Sequence, residues 1–224
     1  RKMLAPMRAV GHALSSYRRF GIIRELPETG GDEAGALMRN VNKTLHAVDD
    51  LRANLENLSF IDPLTGLGNR RWLMLRAEEA FAERRRRGGW AVMAIVDVDR
   101  LKQINDGYGH AEGDVALKKV AQALRMKSRA SDLVARIGGD EFCVLMFDLP
   151  LDRANDWVTE VRQGLATETA ADGRPLSFSA GLTDHLGNSE EFADMFARAD
   201  QALYAAKSAG RNTVQTVPAA GAGS

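Results

Sequence analysis

Polar and apolar positions follow three distinct patterns along the chain. Between residues 32 and 58 a seam recurs at spacings of four and three: Leu37, Val41, Thr44, Val48, Leu51, Leu55 and Leu58. That is a heptad repeat, which favours a parallel coiled coil, with Thr44 as its weak point. A shorter amphipathic stripe of Pro6, Met7, Val10 and Leu14 comes before it, joined by a connector over 21–31. From Trp90 to Val96 the chain is apolar almost throughout, as expected of a strand buried on both faces. Residues 132–137 and 142–147 read as two more strands, a β-hairpin turning at Gly138-Gly139. The remaining periodicity predicts helices over 69–87, 114–127, 152–167 and 192–208 and a strand over 175–183.

Composition narrows the classes. A length of 224 residues allows one large or two small domains, and 45% hydrophobic content is enough for a proper core. With 30 basic and 30 acidic residues the formal charge is zero, so nothing recommends a nucleic-acid duplex as partner. The run Arg84–Arg87 ends the helix predicted over 69–87; cations suit a helix C-terminus, and the run is read as a solvated face. Cys143, the single cysteine, lies in an apolar hairpin strand; it excludes an intrachain disulfide and suits a reducing cytoplasm. No segment has the length of a membrane span. The chain starts at Arg1 rather than Met, so it is expected to be a trimmed piece of a longer protein. Residues 217–224 are expected to be a flexible tail.

Acids gather where the strands end. The apolar run 90–96 leads into Asp97-Val98-Asp99, and alternation along a strand sends Asp97 and Asp99 the same way. The hairpin tip carries Asp140 and Glu141 after two glycines, which permit positive φ and leave room for a ligand to approach the backbone. A carboxylate pair at a strand end beside a second acidic tip is how two-metal phosphoryl-transfer sites are built. The plain alternatives are helix capping for Asp97 and Asp99 and an exposed turn for the tip.

The sequence Asp97-x-Asp99-x-x-Lys102-x-x-Asn105-Asp106-x-x-Gly109-His110, followed by Gly138-Gly139-Asp140-Glu141-Phe142, resembles the GGDEF family of diguanylate cyclases. Asp62-Pro63-Leu64-Thr65-Gly66-Leu67-Gly68-Asn69-Arg70-Arg71 resembles the segment that opens that domain. Ala199-Asp200-Gln201-Ala202-Leu203-Tyr204-Ala205-Ala206-Lys207-x-x-Gly210-Arg211-Asn212 resembles the one that closes it. Leu101 stands where the family usually has Phe, a core change that should be tolerated.

The resemblance implies an α/β (α+β) fold: a mainly antiparallel sheet flanked by helices, like the palm of nucleotidyl cyclases and polymerases. It implies that two GTP are joined into cyclic di-GMP with release of pyrophosphate. Magnesium or manganese, two per half-site, would be held by Asp97, the carbonyl of Val98, Asp140 and Glu141. Asp140 or Glu141 is a candidate base; the residues leave both open. Lys102, Lys207 and Arg211 are candidate phosphate contacts, with helix-end cations as the alternative for the last two. Gly138 and Gly139 give the substrate its approach. Asn105 and Asp114 are candidates for the guanine edge, Asp114 accepting from two donors that adenine lacks. N-capping of the helix 114–127 is the alternative for Asp114. His110, in a Gly-rich turn, is read as structural. Arg129 and Asp132 resemble the family's RxxD inhibitory site for product, with Arg162 as a further contact.

The N-terminal region resembles a HAMP domain, a parallel dimerising unit. The expected organisation is a HAMP-like unit over 1–47, a coiled-coil signalling helix over 48–60, the catalytic domain over 61–216 and the tail. An ordinary helical hairpin is the alternative to HAMP. Because the product is two-fold symmetric, a homodimer is expected. An upstream membrane or sensory segment would place the full-length protein on the cytoplasmic side of the bacterial inner membrane. Two rival functions remain: a sensor that binds nucleotide without turnover, and a cyclase making a mixed or adenine dinucleotide.

Overall fold

The computed structural model describes residues 4–20, 23–27, 33–58, 60–87, 89–185 and 192–219, without the side chains of 4–5, 18–20, 52–58, 85 and 87. The chain divides into two compact units, Arg1–Ser59 and Phe60–Ser224. That division falls beside the expected domain boundary at 60/61. No helix among the described residues is long and apolar enough to cross a membrane.

The first unit holds helices α1 (Leu4–Phe20) and α2 (Glu33–Leu58). Helix α2 continues through 47/48, so the structure has no break at the expected boundary between unit and signalling helix. Ala13, Leu26, Met38 and Leu45 form its core, with Ala9, Val10, Tyr17 and Val41 packed around them. The stripe expected on α1 is therefore rotated: Val10 packs inward, but Met7 is 64% and Leu14 47% exposed. Asn42 is buried and grips the connector, accepting from Leu26 N–H at 3.0 Å and donating to Leu26 O at 2.9 Å. On α2 the predicted seam contributes little to this core: Leu37, Val48 and Leu51 are exposed in the single chain, and Thr44 returns its hydroxyl to Asn40 O. The side chains of Leu55 and Leu58 lie outside the described residues.

The second unit is a six-stranded sheet in the order β1-β3-β4-β2-β5-β6. Its strands are β1 (Gly68–Asn69), β2 (Ala91–Val98), β3 (Leu133–Arg136), β4 (Glu141–Phe147), β5 (Phe178–Asp184) and β6 (Val214–Thr216). The three central pairings are antiparallel, and the two edge pairings are parallel. Every residue of β2 is buried, as its apolar run requires. The strand sits one residue later than expected, and Trp90 stays 63% exposed outside it. Strand β5 starts at Phe178 rather than 175; the residues before it form only an isolated bridge, Thr169 to Pro175.

Among the described residues of the unit, five helices flank the sheet: α3 (Arg70–Arg87), α4 (Leu101–Tyr108), α5 (His110–Lys127), α6 (Leu151–Leu165) and α7 (Phe192–Ser208). Val92, Ala94, Val96 and Val98 pack with α4, α5 and α6 on one face, where Leu101 joins the core. Ala91, Met93 and Ile95 pack with α3 and α7 on the other. Helix α7 lies directly on β5, because Gly181 has no Cβ; one placed there would collide with Leu203 N and Ala199 O. Arg84 departs from the expected solvated face. Its guanidinium lies 3.8 Å from the Phe147 ring centroid and 3.4 Å from Asp148, because the stem of a long cation can cover apolar surface. Arg86 is exposed, as expected. Residues 217–219 are not tail: Val217 N–H donates to Leu182 O, and the buried Ala219 donates to Asp184. Residues 220–224 lie outside the described residues.

Candidate active site

The acidic end of the sheet is built by strand register. Asp97 at the end of β2 faces Glu141 on β4 and Ser179 on β5. Residues directly opposite on antiparallel strands project to the same side, so the two carboxylates share a face. Val98 N–H donates to Asp140 O at 3.0 Å, which ties the hairpin tip to β2. The turn is closed by Ile137 N–H and Gly138 N–H, both donating to Glu141 O. Neither Gly138 nor Gly139 adopts positive φ, so the expected conformational reason for the glycines does not apply. Gly138 leaves room for the Glu141 side chain to fold back over the turn: a Cβ there would lie 2.7 Å from Glu141 Oε2 and would make that carboxylate swing aside. Arg136 steadies the tip, donating to Gly139 O at 2.7 Å and pairing with Asp62.

Burial pushes the Asp97 carboxyl up to about 6. The hydrogen bond from Lys207 Nζ at 2.6 Å opposes the rise, and the nearby charge of Asp140 adds to it. Lys207 thus stands where a cation is wanted. The donor set, carboxylates with the Val98 carbonyl beside them, fits a hard divalent cation. Among the described residues, no three metal-binding side chains already converge on one point. The fit is one of chemistry and crowded negative charge rather than of a finished cage.

Asp99 has a different role from Asp97. It is 3% exposed and accepts from Ser177 Oγ at 2.8 Å, Ser179 Oγ at 2.7 Å and Asn212 N–H at 3.0 Å. It is not a helix cap: Arg100 holds the N-cap position of α4, with no side-chain cap bond. Helix α7 ends in a Schellman motif, with Arg211 N–H donating to Ala206 O and Gly210 N–H to Lys207 O. That ending brings Lys207 and Arg211 to the rim of a cavity of about 900 Å³, which Asp97, Val98, Asp140 and Lys102 also line. Arg100 and Arg174 line it too, cations that the motif pattern had not singled out.

The guanine candidates stand apart from that lining. Helix α5 begins at His110, four residues earlier than expected, because Gly109 at φ 90° ends α4 and directly precedes α5. Asp114 is therefore the fifth residue of α5, exposed, and not its cap. His110 is exposed at the first position of α5. Asn105 on α4 packs onto α5 where Gly113 leaves room; a Cβ there would overlap Asn105 Oδ1. Asn105 and Asp114 thus flank one point of the α4–α5 contact.

Arg129 and Asp132 line a smaller cavity of about 210 Å³. Asp132 is partly committed, accepting from the backbone N–H of Arg129 at 2.8 Å. Arg162 does not line this cavity; its Nη1 donates to Asn212 O and Asn212 Oδ1, each at 2.9 Å. About two and a half helical turns toward the start of α6, Arg153 lines the cavity instead, with Asp156, Trp157 and Glu160. Helical phase decides which face a cation takes, and spacing from the hairpin does not reveal it.

A family model described as diguanylate cyclase, GGDEF domain, matches residues 59–213. The chain is 41% identical over 186 residues to the diguanylate cyclase DgcP of Pseudomonas aeruginosa, covering 80% of this chain and 28% of that protein. It is 36% identical over 182 residues to the cyclic di-GMP phosphodiesterase NbdA of the same organism, covering 78% of this chain and 23% of that one. It thus spans about a quarter of the length of each. The solved coiled coil and GGDEF domain of DgcB from Caulobacter crescentus, in complex with c-di-GMP, superposes with a TM-score of 0.68 at 27% identity. That likeness covers 81% of this chain and all of the DgcB chain. With the family model matched over well more than half of its length, the chain belongs to the diguanylate cyclase GGDEF-domain family.

Proposed function

We propose that the Phe60–Ser224 unit is one half of a diguanylate cyclase, which condenses two GTP into cyclic di-GMP and two pyrophosphates. The observation that carries this is the crowding of Asp97 and Asp140 beside Lys207 and Arg211 at one large cavity, with Glu141 directly opposite Asp97 on β4. Lys102, Lys207 and Arg211 hold the triphosphate, and Asn105 and Asp114 read the guanine edge. Asp97, the Val98 carbonyl, Asp140 and Glu141 would hold magnesium or manganese, two ions per half-site. When bound, such ions neutralise triphosphate charge and polarise the α-phosphate. Each 3′-hydroxyl oxygen bonds to the other nucleotide's α-phosphorus, the α–β bridging P–O bond breaks, and pyrophosphate leaves with its electron pair. The hydroxyl proton passes to Asp140 or Glu141.

One unit holds one GTP, so two copies meet. The N-terminal unit, HAMP-like and parallel, joins them through the α2 seam and passes on a signal from an upstream membrane or sensory segment. Product feeds back at Arg129 and Asp132, with Arg153 as the further cation. The likeness to NbdA supports a second reading, in which the unit binds nucleotide without cyclising it. The test is to incubate the purified chain with GTP or ATP and magnesium, then separate the products with mass detection. The cyclase reading expects cyclic di-GMP from GTP alone, abolished in Glu141→Ala. Nucleotide binding by a folded dimer without product favours the second reading.

A further inference from the structure

We propose that Arg162 on α6 is a positioning residue for the phosphate rim. Together with Asp99 it grips the turn that aims Arg211. After α7 the chain reverses through three consecutive residues of positive φ: Gly210 at 109°, Arg211 at 65° and Asn212 at 47°. Glycine takes that region freely, but a residue with a Cβ persists there only when its surroundings impose it. The surroundings that impose it meet at Asn212. Its N–H is held by Asp99 Oδ2, and Ser177 and Ser179 fix that carboxylate in turn through Oδ2 and Oδ1. Its carbonyl and its own side-chain oxygen are both held by Arg162 Nη1, whose two hydrogens serve two acceptors.

A carboxylate from the end of β2 and a guanidinium from α6 thus clamp the residue next to Arg211, from positions 113 and 50 residues away in the chain. The Arg211 side chain itself is exposed at the cavity. Its direction is set by the turn. The identity of what Arg211 binds rests on the cyclase reading; the clamp does not.

The experiment uses the full chain and the variants Arg162→Ala, Arg162→Lys, Arg211→Ala and the double variant Arg162→Ala/Arg211→Ala. Amide hydrogen exchange without nucleotide is expected to quicken about tenfold or more at residues 211–213 in Arg162→Ala, with β2 and β4 unchanged. Arg162→Lys, a point charge without the fork, should fall between. Affinity for a non-hydrolysable GTP analogue should fall about tenfold in Arg162→Ala, and the double variant should lose no more than Arg211→Ala alone. Wild-type exchange rates at 211–213 in Arg162→Ala, or fully additive losses of affinity, overturn the proposal. A wild-type chain that makes no dinucleotide from GTP counts against the cyclase reading, and the exchange measurement still decides the clamp.

Discussion

Asp97 sets two demands against each other: burial favours its neutral form, whereas a metal needs it ionised. With its pKa raised to about 6 from the ordinary 3.8, the folded chain favours the proton. The stability this group lends without metal is therefore full below about pH 4 and is lost as pH rises through about 6. A divalent cation competes with that proton, so the gain in Tm from magnesium and a non-hydrolysable GTP analogue should be larger near pH 7.5 than near pH 5.5. Calorimetry at the two pH values checks this, and equal gains would sink it. At this scale the chemistry was legible where a residue type has few other uses. Acids at the end of an apolar strand, and at a turn, announce themselves. Arg162, Ser177 and Ser179 did not, because a half-buried arginine on a helix and serines before and within a strand have many uses, and only the fold shows that Arg162 reaches Asn212 directly and the two serines through Asp99. Gly138 has another use than the one φ preferences foretell: it leaves room within its own turn for the Glu141 side chain.

Among the elements, long periodic ones were readable and short ones were not. Strand β2 and helices α3, α6 and α7 lie within about two residues of where the pattern puts them, because each buries a stripe or a full run. Strands β1 and β6 are two and three residues long, too short to show a period of two, and they exist only through pairing with β3 and β5. Helix α4 was missed because its polar residues and Gly107 and Gly109 read as a loop, although Leu101 and Ile104 anchor it in the core. The element that matters most for the site is α7, and its seat is Gly181. The atoms that a side chain there would meet are backbone, which cannot swing aside. Gly181→Val should therefore lift α7 and cost about 3 kcal/mol or more, lowering Tm by roughly 6–12 °C. Because Lys207 rides on α7, the loss of triphosphate affinity should exceed what instability alone explains when measured well below Tm. A variant as stable as the parent would show that α7 is seated by something else.

For the whole molecule, the division of labour between two units makes a prediction of its own. If the unit is a cyclase, its two-fold symmetric product needs two half-sites and one chain supplies one, so activity then depends on association even where binding does not. The first unit spends one side of α2, through Met38, Val41, Asn42 and Leu45, on α1 and the connector. It leaves Leu37, Val48 and Leu51 exposed at heptad spacing. Substituting those inward residues would unfold the unit and prove nothing. Substituting the exposed ones tests association alone. Val48→Asp with Leu51→Asp puts like charges across a parallel seam, where buried unpaired carboxylates are strongly unfavourable. The expected outcome is a monomer at concentrations where the parent is dimeric by sedimentation, with cyclic di-GMP formation per chain reduced about tenfold or more. Affinity for a non-hydrolysable GTP analogue should stay unchanged, because no residue of the half-site is touched. Activity should return in part as protein concentration rises, since mass action restores encounters that the seam no longer holds. Dimerisation and turnover both unaffected would mean that the seam is an ordinary exposed stripe, and that the half-sites meet by another surface.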